Sequence, residues 1–159
     1  MTLSPEISDI NCMNIKNGVE KVTDEMLCEI AGLEKVCFSS PWSEASLKLL
    51  TGESGVGFVA FSDGVLAAYG GMLTVLDEGQ ITNIATHPSF RRKGLARQIL
   101  SAIEEYSKAH AITLLSLEVR ESNAAARALY SSCGWQEMGV RKNFYKLPSE
   151  NAVVMTKML

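Results

Sequence analysis

Gln80-Ile81-Thr82-Asn83-Ile84-Ala85-Thr86-His87-Pro88-Ser89-Phe90-Arg91-Arg92-Lys93-Gly94-Leu95-Ala96-Arg97 is the stretch on which the fold turns. Residues 80–85 are short and rich in β-branched side chains, which favours a strand. His87-Pro88 ends that strand, because proline donates no backbone hydrogen bond and keeps the residue before it out of helical geometry. Three cations follow at Arg91, Arg92 and Lys93, then the small-residue turn Gly94-Leu95-Ala96. From Leu95 an apolar face recurs at Ile99, Ala102, Ile103 and Tyr106, the spacing of a helix over 95–109. The order is strand, basic loop, small-residue turn, helix start.

That order makes an anion site. The first N–H groups of a helix lack intrahelical acceptors, and the helix dipole places partial positive charge there. Small residues at Gly94 and Ala96 let a ligand approach the backbone, and a pyrophosphate suits such a cradle. The alternative is an ordinary strand–helix unit with a solvated basic loop. A Walker loop is excluded, since no Gly-Lys-Ser/Thr follows at its spacing. A dinucleotide-binding fingerprint is excluded too, since the segment has one glycine and no chain-initial strand before it.

Upstream, residues 56–61 and 65–75 read as strands joined by the hairpin turn Ser62-Asp63-Gly64. Asp77-Glu78-Gly79 then turns into the 80–85 strand, so the run is a three-stranded antiparallel meander. Gly70-Gly71 within it marks a bulge or a close backbone approach. Nearer the N-terminus, residues 1–9 read as a loose polar segment and 10–16 as a first strand. Thr23 and Asp24 are helix caps before an apolar face at Met26, Leu27, Ile30 and Leu33. Ser43 caps a short helix over 44–50.

Downstream, 112–120 reads as a buried strand. Strand, crossover helix and strand make a βαβ unit whose strands are parallel neighbours. Ser122 or Asn123 caps a helix over 124–132, which Cys133-Gly134 closes. Residues 135–140 and 152–158 form a hairpin whose long connection, 141–151, has the character of a recognition loop. With no linker or repeat, residues 10–159 read as a single domain.

Composition narrows the function. At 159 residues, 47% apolar and 21% charged, the chain carries enough apolar surface for a sizeable core. A net charge of −3 argues against broad nucleic-acid affinity. Cys12, Cys28, Cys37 and Cys133 match no zinc or Cys-x-x-Cys spacing and read as reduced, mostly buried small apolar residues. No metal is expected. His87 and His110 fall at element ends and suggest no triad. The first residues have no signal-peptide character, and no apolar run reaches the length of a membrane span, so the expectation is a cytoplasmic protein.

Two places carry chemistry. Glu118 interrupts an apolar strand, with Leu115, Leu117 and Val119 on one face and Ser116, Glu118 and Arg120 on the other. A carboxylate in mid-sheet needs pairing or solvation. Glu118 reads either as an ion pair with Arg120 or Arg141, or as a general base facing a cleft with its pKa raised by partial burial. Asn123 and Tyr130 are seven residues apart, about two turns, and share a helix face. Tyr130 reads either as core packing or as a proton donor to a leaving thiolate.

Arg91-x-x-Gly94-x-Ala96 after a strand resembles the acetyl-CoA pyrophosphate loop of the Gcn5-related N-acetyltransferases (GNAT). The segment from Leu117-Glu118-Val119-Arg120-Glu121-Ser122-Asn123 through Tyr130-Ser131-Ser132-Cys133-Gly134-Trp135 is similar to the second signature of the RimI-type ribosomal-protein-alanine N-acetyltransferases. Ser40-Pro41-Trp42-Ser43 resembles the Pro-Trp-Ser element of that family. Arg141-Lys142-Asn143-Phe144-Tyr145 resembles its Arg-Arg-Asn-Tyr-Tyr loop. The likeness runs from about Phe38 onward. Ala96 stands in place of the commoner glycine, Lys93 where glutamine is frequent, Cys133 for a leucine, and Phe144 for a tyrosine, which removes a hydroxyl from a substrate-facing loop.

The resemblance implies an α/β GNAT acyl-CoA N-acyltransferase fold, with a mixed, mostly antiparallel sheet and a βαβ acetyl-CoA-binding core. Its central strand and the 112–120 strand splay apart to admit acetyl-CoA. It implies Glu118 as general base and Tyr130 as general acid. Ile84, Ala85 and Thr86 present backbone to the acetyl and pantetheine amides. Arg92, Lys93, Gly94, Leu95, Ala96 and Arg97 wrap the pyrophosphate, and Asn123 bonds the cofactor arm. Trp42 and Tyr145 line the peptide cleft, with core packing the alternative for Trp42. The implied reaction is transfer of acetyl from acetyl-CoA to a protein N-terminal amine, that of the alanine of the eighteenth small-subunit ribosomal protein. Two rivals stand beside it: a relaxed acetyltransferase of lysines or small amines, and a non-catalytic acyl-CoA-binding or ribosome-associated module.

Overall fold

The computed structural model describes residues 15–159. Seven strands make one sheet in the order β1-β2-β3-β4-β5-β7-β6. In chain order they are β1 (Gly18–Lys21), β2 (Gly55–Ser62), β3 (Val65–Val75), β4 (Glu78–Thr86), β5 (Leu114–Arg120), β6 (Gln136–Lys146) and β7 (Ser149–Met158). Four α-helices accompany them: α1 (Leu27–Cys37), α2 (Glu44–Leu47), α3 (Leu95–Ala109) and α4 (Ala124–Ser132). Every pairing is antiparallel except β4 with β5, the two strands that flank the α3 crossover. This is the mixed, mostly antiparallel sheet with a βαβ unit expected from the sequence.

Strand alternation divides the core in two. Ala60, Ala68, Met72, Ile81, Leu115 and Leu117 pack beneath Ile99, Leu100 and Ile103 of α3. Val59, Tyr69 and Ala85, on the opposite face, pack against Leu27, Ile30 and Leu33 of α1 and Leu47 of α2. Burial of those apolar side chains on both faces is the main term holding the layers together, at about 25 cal/mol per Å² removed from water. The close approach expected at Gly70 is real: a Cβ there would sit 2.4 Å from Ile99 Cγ2. Any side chain would push α3 off the sheet. A register shift between Gly70 and Met72 supplies the bulge.

The pairing of β4 and β5 is brief. Only Glu78, Gly79 and Gln80 of β4 face Leu114, Leu115 and Ser116 of β5. Beyond Gln80 the strands part, while β4 stays paired with β3 as far as Thr86 and β5 stays paired with β7 as far as Arg120. The split lies in the middle of the sheet.

Three expectations are corrected, and another falls largely outside the described residues. The first strand was expected at 10–16; residues 10–14 lie outside the described residues, as does the 1–9 segment, and the strand observed is β1. Only Val19 of it is apolar, so its pairing with β2 comes from the backbone. The α1 helix begins after a 3-10 turn, and Asp24 does not cap it; Asp24 accepts from Thr51 Oγ1 at 2.7 Å and pairs with Lys48 at 3.0 Å. The 44–50 helix is α-helical only to Leu47 and tightens into a 3-10 turn. The supposed long loop 141–151 is two strand arms. β6 runs on to Lys146, with a bulge between Arg141↔Ala152 and Tyr145↔Glu150. Asn151 Oδ1 accepts from the Asn143 N–H at 3.0 Å and so satisfies the bulged backbone.

Candidate active site

A cleft of about 800 Å³ occupies the split. Its walls are Gln80–Ile84 of β4 and Leu117–Arg120 of β5. Asn123, Ala126 and Tyr130 close one side, and Phe144–Lys146 of β6 another. Residues 37–40 and Trp42, between α1 and α2, close the third. The structure therefore brings together Trp42, Ile84, Glu118, Asn123, Tyr130 and Tyr145 from five separate parts of the chain. Ala85 turns its side chain into the α1 core instead and is 3% exposed. Residues 92–97 lie outside this cleft, at the start of α3.

Glu118 sits on the face expected of it, alternating with buried Leu117 and Val119. Its side chain is 15% exposed. One oxygen, Oε2, accepts from Gln80 Nε2 at 2.7 Å, and the other, Oε1, lies 3.7 Å from Arg141 Nη2. Of the two partners the sequence offered, Arg141 is the one present. Arg120 is committed to Glu150 at 3.2 Å and to the carbonyls of Leu147 and Pro148. At 3.7 Å from an exposed guanidinium, the Glu118–Arg141 pair is weak, and the same carboxylate lines the cleft.

Tyr130 is 8% exposed and packs on Trp135 with ring centroids 6.0 Å apart. Burial, with smaller contributions from Tyr145 and Cys133, pushes its phenol up to about 12. Tyr130 therefore carries its proton at neutral pH. Asn123 is the helix cap, its Oδ1 accepting from the Ala126 N–H at 3.1 Å. Tyr145 is held by Arg120, whose guanidinium carbon stands 4.3 Å from the ring centre. Burial raises the Tyr145 phenol, and Arg120 opposes that shift. Trp42 both lines the cleft and packs on the α1 core, so its two readings are compatible.

The loop before α3 has the geometry of an anion cradle. Gly94 caps the helix with φ 75°, and a Cβ there would meet nothing within 4 Å. Arg92 is also left-handed, at φ 63°. The first intrahelical bond is Gln98 N–H to Gly94 at 3.1 Å, so the N–H groups of Leu95, Ala96 and Arg97 have no helical acceptor. Among the described residues no carboxylate pairs with Arg91, Arg92 or Lys93. The Arg97 side chain points elsewhere, donating to Ser132 Oγ at 2.9 Å and Cys133 Sγ at 3.3 Å. Only its backbone faces the loop. The Thr86 carbonyl accepts from Cys37 Sγ and Arg91 Nε, both at 3.4 Å.

Sequence reasoning missed Glu34. This carboxylate is fully buried in α1. It accepts from the Tyr69 hydroxyl, from Asn83 Nδ2 at 2.7 Å and from the Trp42 N–H at 3.0 Å. Three donors compensate a burial that is otherwise prohibitive. Burial and the Glu34 charge push the Tyr69 phenol far above its ordinary value. Glu34 thereby fixes Trp42 and Asn83, one on each side of the cleft. The signal was present: Glu34 lies four residues after Ile30, on the apolar face of α1. Cysteine burial was overstated, since Cys28 is exposed and Cys37 and Cys133 only partly buried; Cys12 lies outside the described residues. Among the described residues no helix is long and apolar enough to cross a membrane, and no cluster of potential metal ligands forms.

Comparison with known proteins places this geometry. The profile described as acetyltransferase (GNAT) family matches residues 27–135. A ribosomal protein bS18-alanine N-acetyltransferase of Haemophilus influenzae is 36% identical over 146 residues, covering 90% of this chain and 97% of that one. The enzyme of the same description from Escherichia coli K12 is 37% identical over 125 residues, covering 77% of this chain and 84% of its own. The crystal structure of the ribosomal-protein-S18-alanine N-acetyltransferase from Escherichia coli superimposes with a TM-score of 0.83 at 33% identity, covering 90% and 94% of the two chains.

Proposed function

Because the chain belongs to the acetyltransferase (GNAT) family, we propose that it transfers acetyl from acetyl-CoA to the N-terminal α-amine of a protein, that of the alanine of ribosomal protein bS18. The observation that carries this reading is the split of β4 from β5, with Glu118 and Tyr130 both lining the cleft that it opens. The relatives that match nearly end to end carry the same substrate in their names. The protein would meet both substrates in the cytoplasm.

Acetyl-CoA fits the residues present. Its pyrophosphate would rest on the free N–H groups of Leu95, Ala96 and Arg97, flanked by Arg92 and Lys93, and its pantetheine would follow the unpaired edge of β4 at Ile84, Ala85 and Thr86. Asn123 would meet the arm on its other side. When bound, it supplies an activated acetyl thioester. Trp42 and Tyr145 would border the incoming peptide.

The residues of the chain do the proton work. An α-ammonium has a reference pKa of about 7.7–8.0 and must lose a proton before its nitrogen attacks. Glu118 accepts that proton, directly or through water. The nitrogen lone pair then forms the C–N bond, the C–S bond breaks, and its electron pair stays on sulfur. The amide nitrogen sheds a second proton as the sulfur gains one, so one proton is released per turnover. With its pKa at about 12, Tyr130 lies well above a thiol of about 8.5. It therefore acts chiefly as a hydrogen-bond donor to the developing thiolate, surrendering its proton only as one returns.

Two expected results bear on this reading. A Gly94→Val variant takes a β-branched residue into left-handed backbone, costing about 1–2 kcal/mol, and fills the space above the cradle. Its Kd for acetyl-CoA should rise about tenfold or more by calorimetry; unchanged affinity would remove the pyrophosphate from this loop. For the acceptor, a peptide bearing both a free N-terminal alanine and an internal lysine should be acetylated only on the α-amine. Acetyl found on the lysine would select the relaxed-acetyltransferase reading.

A further inference from the structure

Gln80 occupies the last rung before β4 and β5 part, opposite Ser116. Its side chain reaches forward across the split. Gln80 Oε1 accepts from Ser116 Oγ at 2.9 Å, and Gln80 Nε2 donates to Glu118 Oε2 at 2.7 Å. Ser116 and Glu118 are two apart on β5 and share a face, so one glutamine spans both. Ionised Glu118 only accepts, so it draws the amide NH₂ to itself and leaves the amide oxygen to accept from the Ser116 hydroxyl, which can donate or accept. Neither end of the glutamine is free to exchange roles.

We propose that Gln80 and Ser116 form a relay that positions Glu118 and divides the labour of its two oxygens. Resting on the general-base reading above, it anchors Oε2 and leaves Oε1 to take the proton from the acceptor amine. The physical basis is direct. A hydrogen bond donated to the ionised form of a carboxylate favours that form. It also removes the rotational freedom of a carboxylate that otherwise has only a 3.7 Å contact with Arg141. A neutral donor suits this task, since a close cation would hold the carboxylate charged too strongly to accept a proton. The charged and titratable groups lining the same cleft are Arg120 of β5, Tyr145 and Lys146 of β6, Tyr130 of α4 and Cys37 of α1. Arg120 is committed to Glu150, and Arg141 of β6 is the one cation in contact with Glu118 among the described residues. Gln80 is a positioning residue, because it acts through Glu118 and not on substrate.

The test compares Gln80→Leu, Gln80→Glu and Ser116→Ala with the parent and with Glu118→Gln. Gln80 is exposed, so these variants should fold with unchanged thermal midpoints. Gln80→Leu should lower kcat about tenfold, the worth of one hydrogen bond to a charged group. KM for acetyl-CoA should stay as in the parent, and the acidic limb of kcat should move to higher pH. Gln80→Glu should move that limb further, because two adjacent carboxylates retain a proton between them. Ser116→Ala should shift it in the same direction by less. Parental kcat and an unmoved acidic limb in Gln80→Leu, beside an impaired Glu118→Gln, would overturn the relay and leave the base. A lowered thermal midpoint with an unmoved limb would overturn it in favour of a structural role. A fully active Glu118→Gln would remove the base itself, and the relay with it.

Discussion

Turnover in a Glu118→Gln variant is expected to fall by about 10²–10⁴-fold, the usual contribution of a positioned general base. Glutamine keeps the shape and can still bond Gln80, but it cannot accept a proton from an ammonium. The loss should therefore fall on kcat. Affinity for acetyl-CoA should be unchanged, since the proposed pyrophosphate cradle lies at the start of α3, outside the cleft that Glu118 lines. Thermal stability should be nearly unchanged as well, because the only cation against Glu118 among the described residues is the exposed guanidinium of Arg141, at 3.7 Å. Raising the pH should partly rescue the variant, as a larger share of the acceptor amine is then already neutral. Steady-state kinetics across pH with a saturating peptide measure all of this. Parental turnover at neutral pH would show that the amine loses its proton without Glu118.

Loss of stability should be largest at Glu34. A Glu34→Ala variant strands the Tyr69 hydroxyl, buried between α1 and the sheet, and the part-buried Asn83 amide and Trp42 N–H. Each buried polar group left without a partner costs about 1–3 kcal/mol, so the sum is about 3 kcal/mol or more. For a chain of this size that lowers Tm by about 10 °C. Glu34→Gln keeps an acceptor for one or two of the donors and should lie between. Because Trp42 is tied to the cleft through Glu34, the surviving enzyme should also show a raised KM for peptide with KM for acetyl-CoA little changed. Scanning calorimetry and two-substrate kinetics check both parts. A Tm within 2 °C of the parent, on the same scale of degrees per kcal/mol, would show that water takes over the three donors at little cost.

How much of this was legible varies along the chain for physical reasons. The β4–loop–α3 unit was legible because several local signals agree there: β-branched residues, a proline stop, a small-residue turn and a long helical face. The helix start at Ser122-Asn123 and the alternation of β5 were legible for the same reason, and the structure selects Asn123 as the cap. The β6 arm was not, because its Arg-Lys-Asn run has no apolar alternation and breaks the β7 register in a bulge whose Asn143 N–H is satisfied by the Asn151 side chain. Glu34 escaped notice because one acid in a helix looks like a surface residue, although its place four residues after Ile30 put it on the apolar face of α1. Gln80 escaped because its role exists only where two strands part, which no single stretch encodes. The residues of the cleft come from five regions of the chain, and the α3 crossover, the β6–β7 hairpin and the packing of α1 on the sheet bring them together.

The most direct measurement is the mass of the N-terminal peptide of unacetylated ribosomal protein bS18 after incubation with acetyl-CoA and this protein, read beside the Glu118→Gln variant. The expected result is one acetyl group on the α-amine of the N-terminal alanine with the parent protein, and little with the variant. An unmodified N-terminus, in a preparation that binds acetyl-CoA, would contradict the proposed activity and turn attention to another amine or to acyl-CoA binding alone.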